Sequence, residues 1–340
     1  MPEEKCCGIL WRLLSWCCVI VTGFILLAGS LWAFGALWFD FPQAGARRVV
    51  AAGFGLLVVL VTLFVRSRWR ARLIIAVAIA LVIGWWNTLQ PLQDRDWKPE
   101  VARTAFATLE GDVVTLHNVR NFEYRTEEDF TPHYETRRLD LKNLLGMDLF
   151  VNFWGSPYMA HPIVSFDFGS DGHVCFSIET RPERDEQYSA LGGLYRQFEL
   201  IYVVADERDV IRLRTNYRKG EDTYLYRLKA PHVRQGFLEY IRTLNELHES
   251  PRWYNAITDN CTSAIRQQRA AADRAPWDWR MLVNGFGEQL LYQRGSIDTS
   301  LPFPRLKQLS HINERAKAAN DAPDFSARIR EGLPGMAPAR

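Results

Sequence analysis

Cys261 stands directly behind three residues that favour helix N-caps, Thr258, Asp259 and Asn260, in the stretch YNAITDNCTSAIRQQ (254–268). Whichever of the three caps, the cysteine falls in the first turn of the helix that follows. Unsatisfied backbone N–H groups and the positive end of the helix dipole meet there, and both favour a thiolate over a thiol. Ala264 and Ile265 share its helical face, so that face is expected to pack on a sheet with the sulfur at the sheet's rim. A cysteine nucleophile needs this placement. The ordinary alternatives are a buried, unreactive thiol and one half of a disulfide with Cys175.

A thiol nucleophile also needs a base, and the chain offers seven histidines. His161 opens the strand-like run HPIVSFDF (161–168), which the turn residues Gly169, Ser170, Asp171 and Gly172 separate from HVCFSIETR (173–181). If Ser170-Asp171-Gly172 forms a three-residue hairpin loop, Gly169 pairs with His173, and His161 and Glu179 become diagonal neighbours on one face. Glu179 can then orient the imidazole as a third catalytic member. A two-residue Asp171-Gly172 loop would turn the pair to opposite faces. His311, close downstream of the cysteine helix in SHINERA (310–316), is the alternative base. His173 at a hairpin turn and His248 near a helix end have simpler roles, in solvent and at a helix dipole. No two histidines stand four apart and no Cys-x-x-Cys occurs, which argues against zinc. With no Gly-rich phosphate loop and no Gly-x-Ser-x-Gly, neither nucleotide binding nor serine hydrolysis is indicated, and no cofactor or metal is expected.

The elements that must carry these residues are legible as two kinds of pattern. From about Gly111 to Leu228 the runs GDVVTLHNVRN, HYETRRLDL, MDLFVNFWG, HPIVSFDF, HVCFSIETR, FELIYVVAD, DVIRLRTNY and TYLYRLKA are short and rich in β-branched and aromatic residues, as strands are. After Pro231 the period changes: Phe237, Tyr240, Ile241, Leu244 and Leu247 recur at helical spacing. Further helices are expected from about Cys261, near Gly287–Arg294 and near Asn313–Asn320. Residues 322–340, with Pro323, Pro334 and Pro338, read as a loosely ordered tail. The domain over 101–321 is therefore α+β, an antiparallel sheet or half-barrel first and helices second.

Ahead of it, residues 13–39, 49–65 and 73–89 contain no charged residue, and each is about long enough to cross a hydrocarbon core of roughly 30 Å. They read as three transmembrane helices, with 1–12 as a cytoplasmic N-terminus and 90–100 as a tether. Arg66, Arg68, Arg70 and Arg72 crowd the second connection, which places that loop inside and the C-terminal domain outside, in the periplasm of a bacterial inner membrane. That compartment permits a disulfide between Cys175 and Cys261, the two cysteines far from the first helix. With 41 Lys and Arg against 39 Asp and Glu, the near-neutral balance gives no reason to expect a nucleic-acid partner.

GEDTYLYRL (220–228), RQFELIYVVADERDVIRLRTNYR (196–218), YNAITDNCTSAIRQQ and SHINERA together resemble the family named for the N-terminal periplasmic domain of Lnb, a lipoprotein N-acyltransferase. The resemblance spans about residues 100–335, and Asp259-Asn260-Cys261-Thr262 is its most specific piece. It implies a permuted papain-like (NlpC/P60-like) thiol fold in which the histidine strands precede the cysteine helix. By the same resemblance Cys261 is the nucleophile and His161 the base, with Glu179 third. Asn260, with Asp259 and Tyr254, would shape the site and its oxyanion donors. The function expected first is an acyltransferase working on phospholipid or lipoprotein acyl groups. A periplasmic amidase or peptidase, and a non-catalytic envelope-assembly module, are the alternatives. A greasy cavity beside the cysteine would favour the first, an open polar cleft the second.

Overall fold

The computed structural model describes residues 2–258, 261–268 and 276–336, with the side chains of 2–14, 44, 261 and 263 outside the description. Two compact units emerge, Met1–Pro91 with Ser189–Gln197, and Leu92–Tyr188 with Phe198–Arg340. In the first unit α1 (Pro2–Asp40), α2 (Ala44–Phe64) and α3 (Arg68–Thr88) contain the stretches Ser15–Asp40, Gly45–Phe64 and Arg68–Thr88, each long and apolar enough to cross a membrane. Large apolar side chains such as Ile20, Phe24, Leu31 and Leu63 are exposed on them, a surface suited to lipid. Helix α3 begins at Arg68, earlier than the charge-free run starting at 73, because arginine is a good helix former and Ser67 just ahead is extended. The segment Ser189–Gln197 is fixed to these helices. The Arg196 guanidinium lies 3.7 Å from the centre of the Trp86 ring, and Asp40 accepts from Trp86 Nε1 at 2.7 Å and from the Arg196 backbone at 3.1 Å.

In the second unit the strands are β1 (Phe106–Glu110), β2 (Val113–Arg120), β3 (Glu123–Tyr124), β4 (Phe130–Thr131), β5 (Tyr134–Asp140), β6 (Gly146–Trp154), β7 (Ala160–Asp167), β8 (His173–Arg181), β9 (Glu199–Ala205) and β10 (Glu221–Leu228). An eight-stranded sheet runs β1-β2-β9-β8-β7-β6-β10, with β5 also on β2. It is mixed: β2 meets β9 in parallel at Arg120 and Ala205, and the other pairings are antiparallel. The remaining helices are α4 (Glu207–Arg212), α5 (Val233–Glu249), α6 (Cys261–Gln267), α7 (Gly287–Gln293), α8 (Phe303–Ser310), α9 (Asn313–Ala319) and α10 (Phe325–Arg328).

Helices cover both faces of the sheet, which is why its inner strands read as nearly continuous apolar runs. On one face Leu149, Val164, Phe166, Phe176, Ile178 and Tyr202 pack with Phe237, Tyr240, Ile241, Leu244 and Leu247 of α5, and with Ala264 of α6. On the other, Phe150, Ile163, Cys175, Ile201 and Val203 pack with Val210 and Ile211 of α4, Ile312 and Ala316 at α9, and Phe325, Ile329 and Leu333.

Two expectations are corrected here. DVIRLRTNY (209–217) is helical rather than a strand: Asp206 caps α4 by accepting from the Arg208 N–H at 2.7 Å, and Leu213–Tyr217 continues as a π-helix. Its β-branched residues reflect full burial of Val210 and Ile211, which composition alone confuses with strand. The segment after Ala322 is not a loose tail through its described part. Phe325 and Ile329 are fully buried in the second core, and Arg330 pairs with Asp148 at 2.8 Å and Glu207 at 2.6 Å.

Candidate functional site

Helix α6 starts at Cys261, the placement the capping residues predict, while Asp259 and Asn260 lie outside the described residues and nothing is said of the sulfur's surroundings. The next residue, Thr262, is described: its Oγ1 accepts from Asn284 Nδ2 at 3.3 Å. Asn284 in turn accepts from the Ala160 N–H at 2.8 Å, so one side chain joins the mouth of α6 to the first residue of β7. The neighbouring Gly285 N–H donates to Tyr158 O at 3.0 Å. A Cβ at Gly285 would collide with the Pro157 carbonyl, so this close zipper needs glycine. Neither Asn284 nor Gly285 carries a recognisable motif, and only their spatial position exposes their role.

Pro162 sets the local shape of the sheet. The β7–β8 ladder runs from Asp167↔His173 to Ile163↔Ser177, and proline has no N–H with which to extend it. His161 therefore stands where the two strands part. Counting along the register, His161 faces Glu179 directly, and the connecting loop is Phe168–Gly172, closed by a 2.9 Å bond from the Phe168 N–H to Gly172 O. The expected three-residue loop with Gly169 opposite His173 is thus replaced by a longer one, with Gly172 at φ 88°; the same-face relation of His161 and Glu179 survives.

A serine mediates between them. His161 Nε2 lies 2.8 Å from Ser177 Oγ, and Ser177 donates to Glu179 Oε1 at 2.6 Å, while the direct Nε2 to Oε1 separation is 3.7 Å. Arg214, in the π-helical turn, donates to the same Glu179 oxygen at 3.0 Å. Burial pushes the His161 imidazole down, Arg214 adds to the effect and Glu179 opposes it, leaving a value of about 4. For Glu179 burial pushes upward, but Arg214, His161 and Arg120 outweigh it and hold the carboxyl well below its usual range. Sequence reasoning put His161 and Glu179 on one face but did not reach Ser177 and Arg214. Alternation along HVCFSIETR puts Ser177 on the face of Glu179, whereas nothing local announces Arg214.

The other candidates fall elsewhere. His311 pairs with Asp222 at 3.0 Å and leans on the Tyr224 ring beside β10, two strands from β7. Tyr254 is buried in the first core, its N–H donating to Phe198 O at 2.9 Å. Cys175 is a free, fully buried thiol on the face opposite α6's packing partners, so no disulfide joins it to Cys261; burial pushes that thiol up. His173 sits 3.6 Å from Asp167, and His248 meets Thr104 at 2.7 Å.

A cavity of about 380 Å³ lies along the α5–α6 face. Met147, Leu149 and Val151 of β6 form its floor, Ala160 and Pro162 flank His161 at one end, and Thr262 and Ile265 bring the cysteine helix into its wall. The alternation that points Ala160 and Pro162 into the cavity points His161 to the other face.

Residues 130–285 match the Lnb N-terminal periplasmic domain. The match takes in β7, β8, the π-helical turn, α6 and Asn284, and so includes Cys261, His161, Ser177, Glu179 and Arg214. It is narrower than the span of about 100–335 suggested by the motifs and leaves SHINERA, with His311, outside. The molecule is thus a membrane-anchored protein: a segment of the Lnb periplasmic type follows three helices apolar enough to cross a bilayer. No curated protein and no solved structure matches the chain.

Proposed function

We propose that the protein is a multi-pass inner-membrane cysteine acyltransferase of permuted papain-like type, acting at the periplasmic surface on phospholipid or lipoprotein acyl groups. The observation that carries this reading is the apolar cavity walled by the cysteine helix. Its size falls within the roughly 300–1,000 Å³ of small-molecule sites. Its floor from Met147 to Val151 extends ~14 Å at the rise of a β-strand, a length and an apolar surface suited to an acyl chain, with Lys229, Arg266, Arg280, Arg294 and Glu288 also in the lining. Trp279 and Tyr158, both more than half exposed, flank Phe286 with ring centroids 5.5 and 5.9 Å away, and give the same region an amphipathic rim.

In this reading His161 takes the Cys261 proton. The thiolate attacks the ester carbonyl carbon; a C–S bond forms, the C–O bond breaks, and the leaving alcohol takes the proton from His161. An amine then attacks the acyl-thioester, forming C–N and breaking C–S, and its proton returns to the sulfur. The Cys261 backbone N–H, with Asn260, would hold the developing oxyanion. A binding module with no chemistry is the rival, favoured by one observation: the imidazole is engaged on the sheet face away from α6.

Full-length protein in micelles, incubated with radiolabelled diacyl phospholipid or diacylated lipopeptide and quenched in acid, should carry a hydroxylamine-labile acyl label. Cys261→Ala should remove it and Cys175→Ala should keep it. Label that persists in Cys261→Ala removes Cys261 as the nucleophile and overturns this reading; none in wild type while lipid still binds establishes the rival instead.

A further inference from the structure

The polar group around His161 fixes where its proton sits. Glu179 Oε1 receives the Arg214 guanidinium at 3.0 Å, which makes that oxygen an acceptor, and it lies 2.6 Å from the Ser177 hydroxyl oxygen. Ser177 has a single proton. If it pointed at His161, two bare acceptor oxygens would face each other at 2.6 Å in a buried site, an arrangement that costs a lost charge-assisted hydrogen bond as well as the repulsion. The proton therefore lies toward Glu179, and the 2.8 Å contact with Ser177 Oγ must be supplied by a proton on His161 Nε2.

We propose that Ser177 is a positioning residue that holds His161 in the Nε2–H tautomer, leaving Nδ1 as the basic nitrogen, with Arg214 locking Glu179 as the terminal acceptor. The inference rests on the reading of His161 as the base only for its catalytic meaning; the tautomer itself follows from the hydrogen bonds. The local fold serves this end. Ser177 and Arg214 are buried, and Arg214 is further held by a 3.0 Å bond to the Val210 carbonyl. A π-turn at Leu213–Tyr217 inserts an extra residue per hydrogen-bonded turn, which rotates Arg214 relative to α4 and aims it at β8.

The test is ¹⁵N-histidine NMR on the full-length protein in micelles, with His161→Asn to assign the resonance. Wild-type His161 should be Nε2–H by about tenfold over the other tautomer, the worth of one hydrogen bond. Ser177→Ala should collapse that preference, while Ser177→Thr and Glu179→Gln should keep it, the latter because the amide oxygen stays toward Arg214 and still accepts from Ser177. An Nδ1–H wild type, or a tautomer indifferent to Ser177→Ala, overturns the proposal. If Ser177→Ala fails to fold, the wild-type tautomer decides. The expected tautomer without any thioester label on Cys261 would sink the acyltransferase reading and leave this one standing; label with the wrong tautomer would do the reverse.

Discussion

The two faces of the central sheet are built from the same strands and solve opposite problems. The α5–α6 face is mainly apolar and incompletely filled, with a cavity above Met147, Leu149 and Val151 whose lining also takes in Arg266, Arg280, Arg294 and the buried Glu288. Its counterpart sinks ionic groups between the strands and α4, α9 and α10: Arg120 with Asp209 at 2.7 Å, Arg214 with Glu179 at 3.0 Å, Arg330 with Asp148 and Glu207. A buried pair of this kind adds little net stability but tolerates only one geometry. Strand alternation thus lets a single sheet offer a yielding receptacle on one side and an imidazole in a fixed orientation on the other.

The contrast is broken most severely by removing Arg330. Arg330→Met strands the Glu207 carboxylate, which Arg330 holds near a pKa of about 2 against the upward push of burial, and should cost about 3–5 kcal/mol in urea unfolding. Adding Glu207→Gln should restore much of that loss. A cost under 1 kcal/mol would show that the ionic face is not rigidly specified.

A slightly smaller effect is expected from pH. With the imidazole at about 4 in the folded state against 6.5 unfolded, the unfolded chain binds more protons between those values. Stability is therefore fully present above about pH 6.5 and falls by about 3 kcal/mol as pH drops to about 4. Glu179, also held down, extends the loss below that range; Arg214, Arg218 and Glu221 are the other charged groups around the imidazole, and none of them reverses the sign. Urea midpoints across pH should show the slope in wild type and a flatter one in His161→Asn; equal slopes would remove His161 as its source.

The smallest effect sharpens the comparison from the other side. Val151→Phe, which grows into the cavity, should change stability by less than about 1 kcal/mol, whereas Ile163→Phe on the ionic face should cost about 1–3 kcal/mol. Yet Val151→Phe should lower acyl labelling of Cys261 about tenfold, the discrimination a filled apolar site provides. Equal penalties on both faces would erase the distinction.

Legibility in the sequence follows the range of the interactions involved. Strands β6 to β9 and the helix over 233–249 were readable because their apolar spacing is set by neighbours a few residues away. Cys261 in the first turn of α6 was readable from Thr258, Asp259 and Asn260 for the same reason. The pairing of His161 with Glu179 depended on a loop whose true length, Phe168–Gly172, no short-range rule supplied. Val210 and Ile211 looked like strand because burial on an ionic-face helix selects the same side chains. Phe325, Ile329 and Arg330 looked like tail because their partners, Asp148 and Glu207, lie far back in the chain. Arg214 and Asn284 stayed invisible because each acts entirely through tertiary contacts.

Arg330 closes contacts with Asp148 across a separation of 182 residues and with Glu207 across 123. Biosynthesis meets these groups in the reverse of the order in which they are satisfied: both carboxylates leave the ribosome, and the three apolar helices ahead of them have already been made, well before their guanidinium partner exists. The ionic layer cannot close until residue 330 has been delivered, so a ribosome stalled short of it would leave the domain without this clasp.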